Sequence, residues 1–159
     1  MINRSQTGFT VIELVVVLVV LSTLALLAMP LAELTVKRVK ERELKQALVE
    51  IRQAIDAYKL AGGDKAKLAQ TGGASGYPPT LMALVEGTPN AASTDGGVLY
   101  FLRRLPRDPF GDPKLGAEET WGLRSYASPH TDPEPGEDVY DVYSLSPGVG
   151  LNGIPYREW

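Results

Sequence analysis

The sequence predicts an α+β protein in which one long N-terminal helix, first transmembrane and then amphipathic, packs against a small antiparallel β-sheet head. Three observations carry this expectation. Residues 14–32 are nineteen consecutive uncharged residues, with seven Leu and five Val. Between residues 35 and 60 apolar side chains recur at helical steps. Beyond them the composition changes abruptly, with fifteen of the sixteen Gly and eleven of the twelve Pro lying between Gly62 and Tyr156. Such a stretch builds loops and short strands, not long regular elements.

The apolar run is long enough for a membrane. At 1.5 Å per residue it spans roughly 28 Å, against ~30 Å for the hydrocarbon core of a bilayer. A cleaved secretory signal would have an apolar core of about 7–15 residues ending in a small-x-small site. Here the run is longer, and Ala25, Ala28 and Ala32 make only a weak small-residue pattern. Residues 9–34 are therefore read as the transmembrane helix. Pro30 removes a backbone donor near its distal end and is read as a kink, either functional or simply tolerated in a membrane helix. Glu13 precedes the run. A carboxylate there is either a functional contact or a group at the headgroup boundary. Counting Lys and Arg alone, the flank Lys37, Arg38, Lys40, Arg42 and Lys45 outweighs Arg4, so the positive-inside rule disfavours export of the C-terminal part.

Residues 35–61 continue the helix as an amphipathic one. Leu44, Leu48, Ile51, Ile55 and Tyr58 form its stripe, with Val36, Val39 and Ala47 near it, and Gly62-Gly63 supplies the stop. The opposite face is charged, with seven basic and five acidic residues between 33 and 60. The head, residues 62–159, opens with a flexible connection at 72–76. Thr80 starts a short helix through Glu86, halted by Gly87. Residues 98–102 are a short helix or strand, and 108–113, DPFGDP, a turn. Partial alternation at 121–127 and 139–145 predicts two or three antiparallel strands.

Composition also excludes function classes. With no Cys there is no disulfide framework, thiolate metal site or cysteine nucleophile. His130 is the single histidine, so no His cluster can hold a metal. The chain has no GxxxxGK[ST], HExxH or GxSxG pattern, and no catalytic residues are assigned. A formal charge of −3 without a long basic tract argues against nucleic acid as a partner.

Gly8-Phe9-Thr10-Val11-Ile12-Glu13-Leu14, placed between a short basic leader and a long apolar helix, resembles the N-terminus of type IV pilins and type II secretion pseudopilins. The resemblance implies that residues 1–8 are a leader cut by a prepilin peptidase between Gly8 and Phe9, with N-methylation on Phe9. It also implies that Glu13 serves filament assembly by neutralising the amine of a neighbouring subunit. The leader would then be cytoplasmic and the head periplasmic, on a single-pass inner-membrane anchor.

The head adds a narrower resemblance. LRRLPRDPFGDP at 102–113, WGLRSYAS at 121–128 and DVYDVYSLSPG at 138–148 look like the G-type major pseudopilin. That implies a structural subunit of the periplasmic filament of a type II secretion system. Its partners would be other copies, minor pseudopilins, the prepilin peptidase, inner-membrane lipid and an assembly platform with a cytoplasmic ATPase. The alternative is a type IV pilus subunit serving adhesion, motility or DNA uptake. The absence of cysteine disfavours it, because many such pilins close a C-terminal loop with a disulfide. The resemblance also implies calcium in the loop after the last strand. Here Gly148 stands where an acidic side chain is expected, and only Asn152 and Glu158 follow as oxygen donors, so a degraded site and no cofactor are expected. Asp132, Glu134, Glu137, Asp138 and Asp141 read as a solvated acidic loop, the alternative being that they bind calcium in another way.

Overall fold

The computed structural model describes residues 8–63, 75–90 and 97–159, without the side chains of 26–31. Helix α1 runs over Val11–Gly63, 53 residues, followed in the head by a short helix α2 at Ala83–Glu86. The strands are β1 at Thr88–Pro89, β2 at Val98–Leu99, β3 at Trp121–Arg124 and β4 at Asp141–Ser144, with short 3₁₀ turns at Glu118–Thr120 and Tyr156–Glu158. The chain divides into two compact units, residues 1–39 and 40–159.

The second unit has its core on α1. Leu44, Leu48, Ile51, Ile55 and Tyr58 are all buried, as their spacing predicts, and Ala47 and Ala54 fill the gaps between them. Leu81, Leu84, Leu102, Leu105, Trp121, Val139, Val142 and Tyr156 close over this stripe. Each large side chain removed from water contributes about 1.5–3 kcal/mol, so the stripe supplies much of the folding energy of the unit. Val36 and Val39, expected near the stripe, are instead exposed. Val39 precedes Leu44 by five residues, which at ~100° per residue turns it about 140° away from the stripe.

The antiparallel pairing expected from 121–127 and 139–145 is present as a two-stranded ribbon, and among the described residues a second, separate ribbon accompanies it. β1 pairs with β2, Thr88 opposite Leu99. β3 pairs with β4, Trp121 opposite Ser144 through Arg124 opposite Asp141. Both strands of the β3–β4 ribbon are shorter than their sequence pattern. β3 ends at Arg124 because the next amides leave the ladder: Ser125 N–H donates to Glu134 O, and Tyr126 N–H to the Asp138 carboxylate at 2.8 Å. Ahead of β4, Val139 N–H donates to Pro78 O. In the ribbon Gly122 faces Tyr143, whose ring occupies the place of a side chain at 122; a Cβ there would lie 2.3 Å from two ring carbons.

The turn at 108–113 is anchored by a buried carboxylate. Asp108 accepts Phe110 N–H at 2.7 Å and the Ser144 hydroxyl of β4, while its own N–H donates to Thr120 Oγ1 at 3.2 Å. Beside it, Trp121 Nε1–H donates to Pro106 O at 2.9 Å. From α1, Arg52 reaches across to β4 and the chain's last residue, donating to Asp141 at 2.8 Å, to Val142 O at 3.1 Å and to Trp159 O at 2.9 Å.

Asp108→Ala leaves Phe110 N–H and Ser144 Oγ without their acceptor and lowers the unfolding free energy by about 2–3 kcal/mol, read from the urea midpoint of the head signal. Gly122→Ala forces Tyr143 off the ribbon and costs about 1–3 kcal/mol by the same measurement.

Candidate functional site

The motif at the N-terminus is placed by a helix boundary. Gly8, Phe9 and Thr10 have no regular structure, and α1 begins at Val11. Thr10 Oγ1 accepts Glu13 N–H at 3.3 Å, and Glu13 Oε2 accepts Thr10 N–H at 3.4 Å. This reciprocal pair is a capping box, in which Thr10 and Glu13 satisfy two backbone donors that a helix start would otherwise leave open. Its consequence is that the Gly8–Phe9 bond sits just outside the helix. Phe9 is 80% exposed, and among the described residues nothing approaches Gly8 within 4 Å of where a Cβ would stand.

The helix beyond it is apolar on every side. From Val11 to Leu24 its large hydrophobic residues are between 48% and 79% exposed. Its two hydroxyl side chains bond inward, Ser22 to Leu18 O at 2.7 Å and Thr23 to Val20 O at 2.8 Å, so they offer no unmet polar group to the surroundings. A helix apolar all round is stable when lipid or other helices cover it. Among the described residues no helix is long and apolar enough to cross a membrane. The expected span, 9–34, includes 26–31, whose side chains lie outside the described residues, and Pro30 with its expected kink is among them.

The second region of interest is the segment after β4, where a cation is implied by resemblance. Among the described residues no three His, Cys, Asp or Glu side chains gather in a way that could hold a metal. The acidic residues near it have other tasks: Asp138 accepts Tyr126 N–H, and Asp141 is paired with Arg52. Glu41 of α1, which has no assigned role in the sequence reading, enters this segment. Its Oε1 accepts Leu151 N–H at 2.8 Å and the Tyr156 hydroxyl at 3.0 Å. Burial, and then the hydrogen bond to Glu41 and the nearby carboxylates, push the Tyr156 phenol up from 10.0 to about 12.

The capping box was readable in the sequence as Thr-x-x-Glu before an apolar run. Glu41 was not, because its partners lie 110 and 115 residues away.

A leader-like segment, an accessible bond before a capped apolar helix, and a small α+β head built on the continuation of that helix define a pilin-like protein. Residues 3–29 match the prokaryotic N-terminal methylation motif. The type II secretion system core protein G of Aeromonas hydrophila is 34% identical over 119 residues, covering 70% of this chain and 72% of the relative. The protein of the same name from Pseudomonas aeruginosa is 32% identical over 147 residues, covering 90% of this chain and 84% of the relative. No solved structure matches the chain. The chain belongs to the type II secretion system core protein G family.

The shift of Tyr156 fixes an alkaline response. Between pH 10 and about 12 the unfolded chain releases this phenolic proton while the folded chain keeps it. The stability it contributes is complete below pH 10 and is lost as pH rises through the folded value. Denaturant titrations across this range will show a steeper fall for the wild type than for Tyr156→Phe.

Proposed function

We infer that this chain is a structural pseudopilin, a subunit that polymerises into the periplasmic filament of a type II secretion system. The observation that carries the reading is the exposed Gly8–Phe9 bond immediately ahead of a capped helix with an uncovered apolar surface. It is supported by membership of the core protein G family.

Prepilin peptidase hydrolyses the Gly8–Phe9 bond, which releases residues 1–8 and leaves a new amine on Phe9 that is then methylated. Until assembly the apolar segment rests in the inner membrane, where lipid covers the side chains from Val11 onward. Glu13 is the costly group in that setting, because a carboxylate brought among apolar helices needs a compensating charge. The methylated amine of a neighbouring Phe9 supplies it. Misaligned neighbours would leave both charges desolvated, so the pair selects the register of addition. Thr10 N–H remains after processing, and the capping box keeps the carboxylate at the helix start.

Once the helices pack on one another, the same head-to-tail contact repeats, and a repeated heterologous contact that does not close a ring builds an open filament. Work is supplied by an ATPase at the cytoplasmic face through the inner-membrane platform, and minor pseudopilins are further partners. The chain's role in this scheme is structural and not enzymatic.

Intact mass and N-terminal sequence of the protein from membranes of its host test the reading. A chain starting at N-methylated Phe9 is expected, whereas Met1–Gly8 retained in cells with an active prepilin peptidase overturns it. Glu13→Ala is expected to be processed and to keep a folded head. Its yield of sheared filaments and of secreted protein falls by at least about tenfold, the equivalent of ~1.4 kcal/mol lost per subunit contact.

A further inference from the structure

The loop after β4 is built in a way that leaves a divalent cation nothing to do. A calcium site needs six to eight oxygens, several of them from carboxylates, converging on one point. At Gly148, where an acidic ligand is expected, a Cβ would stand 2.9 Å from Tyr156 Cε2 and 3.1 Å from Cδ2, so the Tyr156 ring excludes any side chain at this position. At Gly150 a Cβ would lie 2.4 Å from Trp159 Cζ2. Space that ligands would occupy is filled by aromatic rings.

Several of the segment's oxygens already accept hydrogen bonds from within it. Gly148 O accepts Tyr156 N–H, and Gly150 O accepts Gly153 N–H. Ile154 O accepts both Gly150 N–H and the Trp159 indole N–H, and Asn152 Oδ1 accepts Ile154 N–H at 3.1 Å. Toward Glu41 of α1 the loop turns two donors, Leu151 N–H and the Tyr156 hydroxyl. Both meet a single carboxylate oxygen, Glu41 Oε1.

Neighbouring side chains of α1 reinforce the contact. Lys45 Nζ lies 4.6 Å from the centre of the Trp159 ring and Lys40 Nζ 5.6 Å from that of Phe110. Phe110 stacks on Tyr156 with centroids 4.3 Å apart, and Tyr156 meets Trp159 edge to face at 5.0 Å. The polarity is therefore the reverse of a cation site, with an anion at the centre and donors around it.

We propose that Glu41 clamps residues 148–156 onto α1 and that this clamp holds the C-terminal loop closed without a divalent cation. The proposal does not depend on the secretion reading, since it concerns how the head closes and not what the head assembles into.

Limited proteolysis of the purified full chain in detergent micelles tests it. Chymotrypsin and elastase cuts between residues 145 and 155 are mapped by mass spectrometry, with millimolar CaCl2 or with EDTA. For the wild type the rate of loop cleavage is expected to be the same in both conditions. Glu41→Gln, which keeps an acceptor but loses the charge, is expected to be cut faster. Glu41→Ala, which loses both, should be cut faster still, on the order of tenfold above the wild type and equally with CaCl2 or EDTA. Faster wild-type cleavage in EDTA that CaCl2 reverses overturns the proposal, as does cleavage of Glu41→Ala at the wild-type rate. Calcium titration calorimetry of the wild type gives a reading that needs no variant: no binding heat is expected, and saturable one-site binding overturns it.

Discussion

The stripe Leu44, Leu48, Ile51, Ile55 and Tyr58 is the surface on which the head is assembled. None of the head's described elements could stand alone: they are four strands of two or four residues, a helix of a single turn and two 3₁₀ turns. Short two-stranded ribbons are at best marginal in water by themselves. The helix α2 and the strands β3 and β4 hold because they place apolar side chains, Leu84, Trp121 and Val142, in the core built on α1, to which β1 and β2 add none. The Gly and Pro content that makes this region irregular is tolerated for the same reason, since the helix provides the long continuous apolar surface that the head lacks.

Polar contacts then fix which loops lie where on that surface. Arg52 binds both β4 and the last residue, Asp108 joins the 108–113 turn to Ser144, and Glu41 meets the loop after β4. Apolar burial is non-directional and would accept several loop arrangements. Buried or half-buried groups with defined donors and acceptors do not, because each misplacement leaves a charge or amide unmet. Both Arg52 and Glu41 project from the helix that carries the apolar stripe, so one element sets burial and direction together.

The N-terminal part of the same helix follows the opposite rule. Its apolar side chains are uncovered, its hydroxyls are satisfied within the helix, and its start is fixed by Thr10 and Glu13 instead of by packing. A segment organised in this way is ready to exchange one apolar environment for another without refolding. That property suits a subunit that passes from a bilayer into a filament.

Much of this was open to reading in the sequence alone. The GFTVIEL motif, the nineteen-residue apolar run, the period of the stripe and the shift to Gly and Pro determined the class of protein, the long helix and its buried face. Each is a local or periodic pattern, and such patterns report directly on the element that contains them. Tertiary structure decided the rest: the second ribbon beside the expected one, the exposure of Val36 and Val39, and the tasks of Arg52, Asp108 and Glu41. Glu41 looks in sequence like any solvated helix carboxylate, and its role appears only when residues 151 and 156 arrive beside it. Contacts across more than a hundred residues depend on how the loops settle on α1, and no local pattern encodes that.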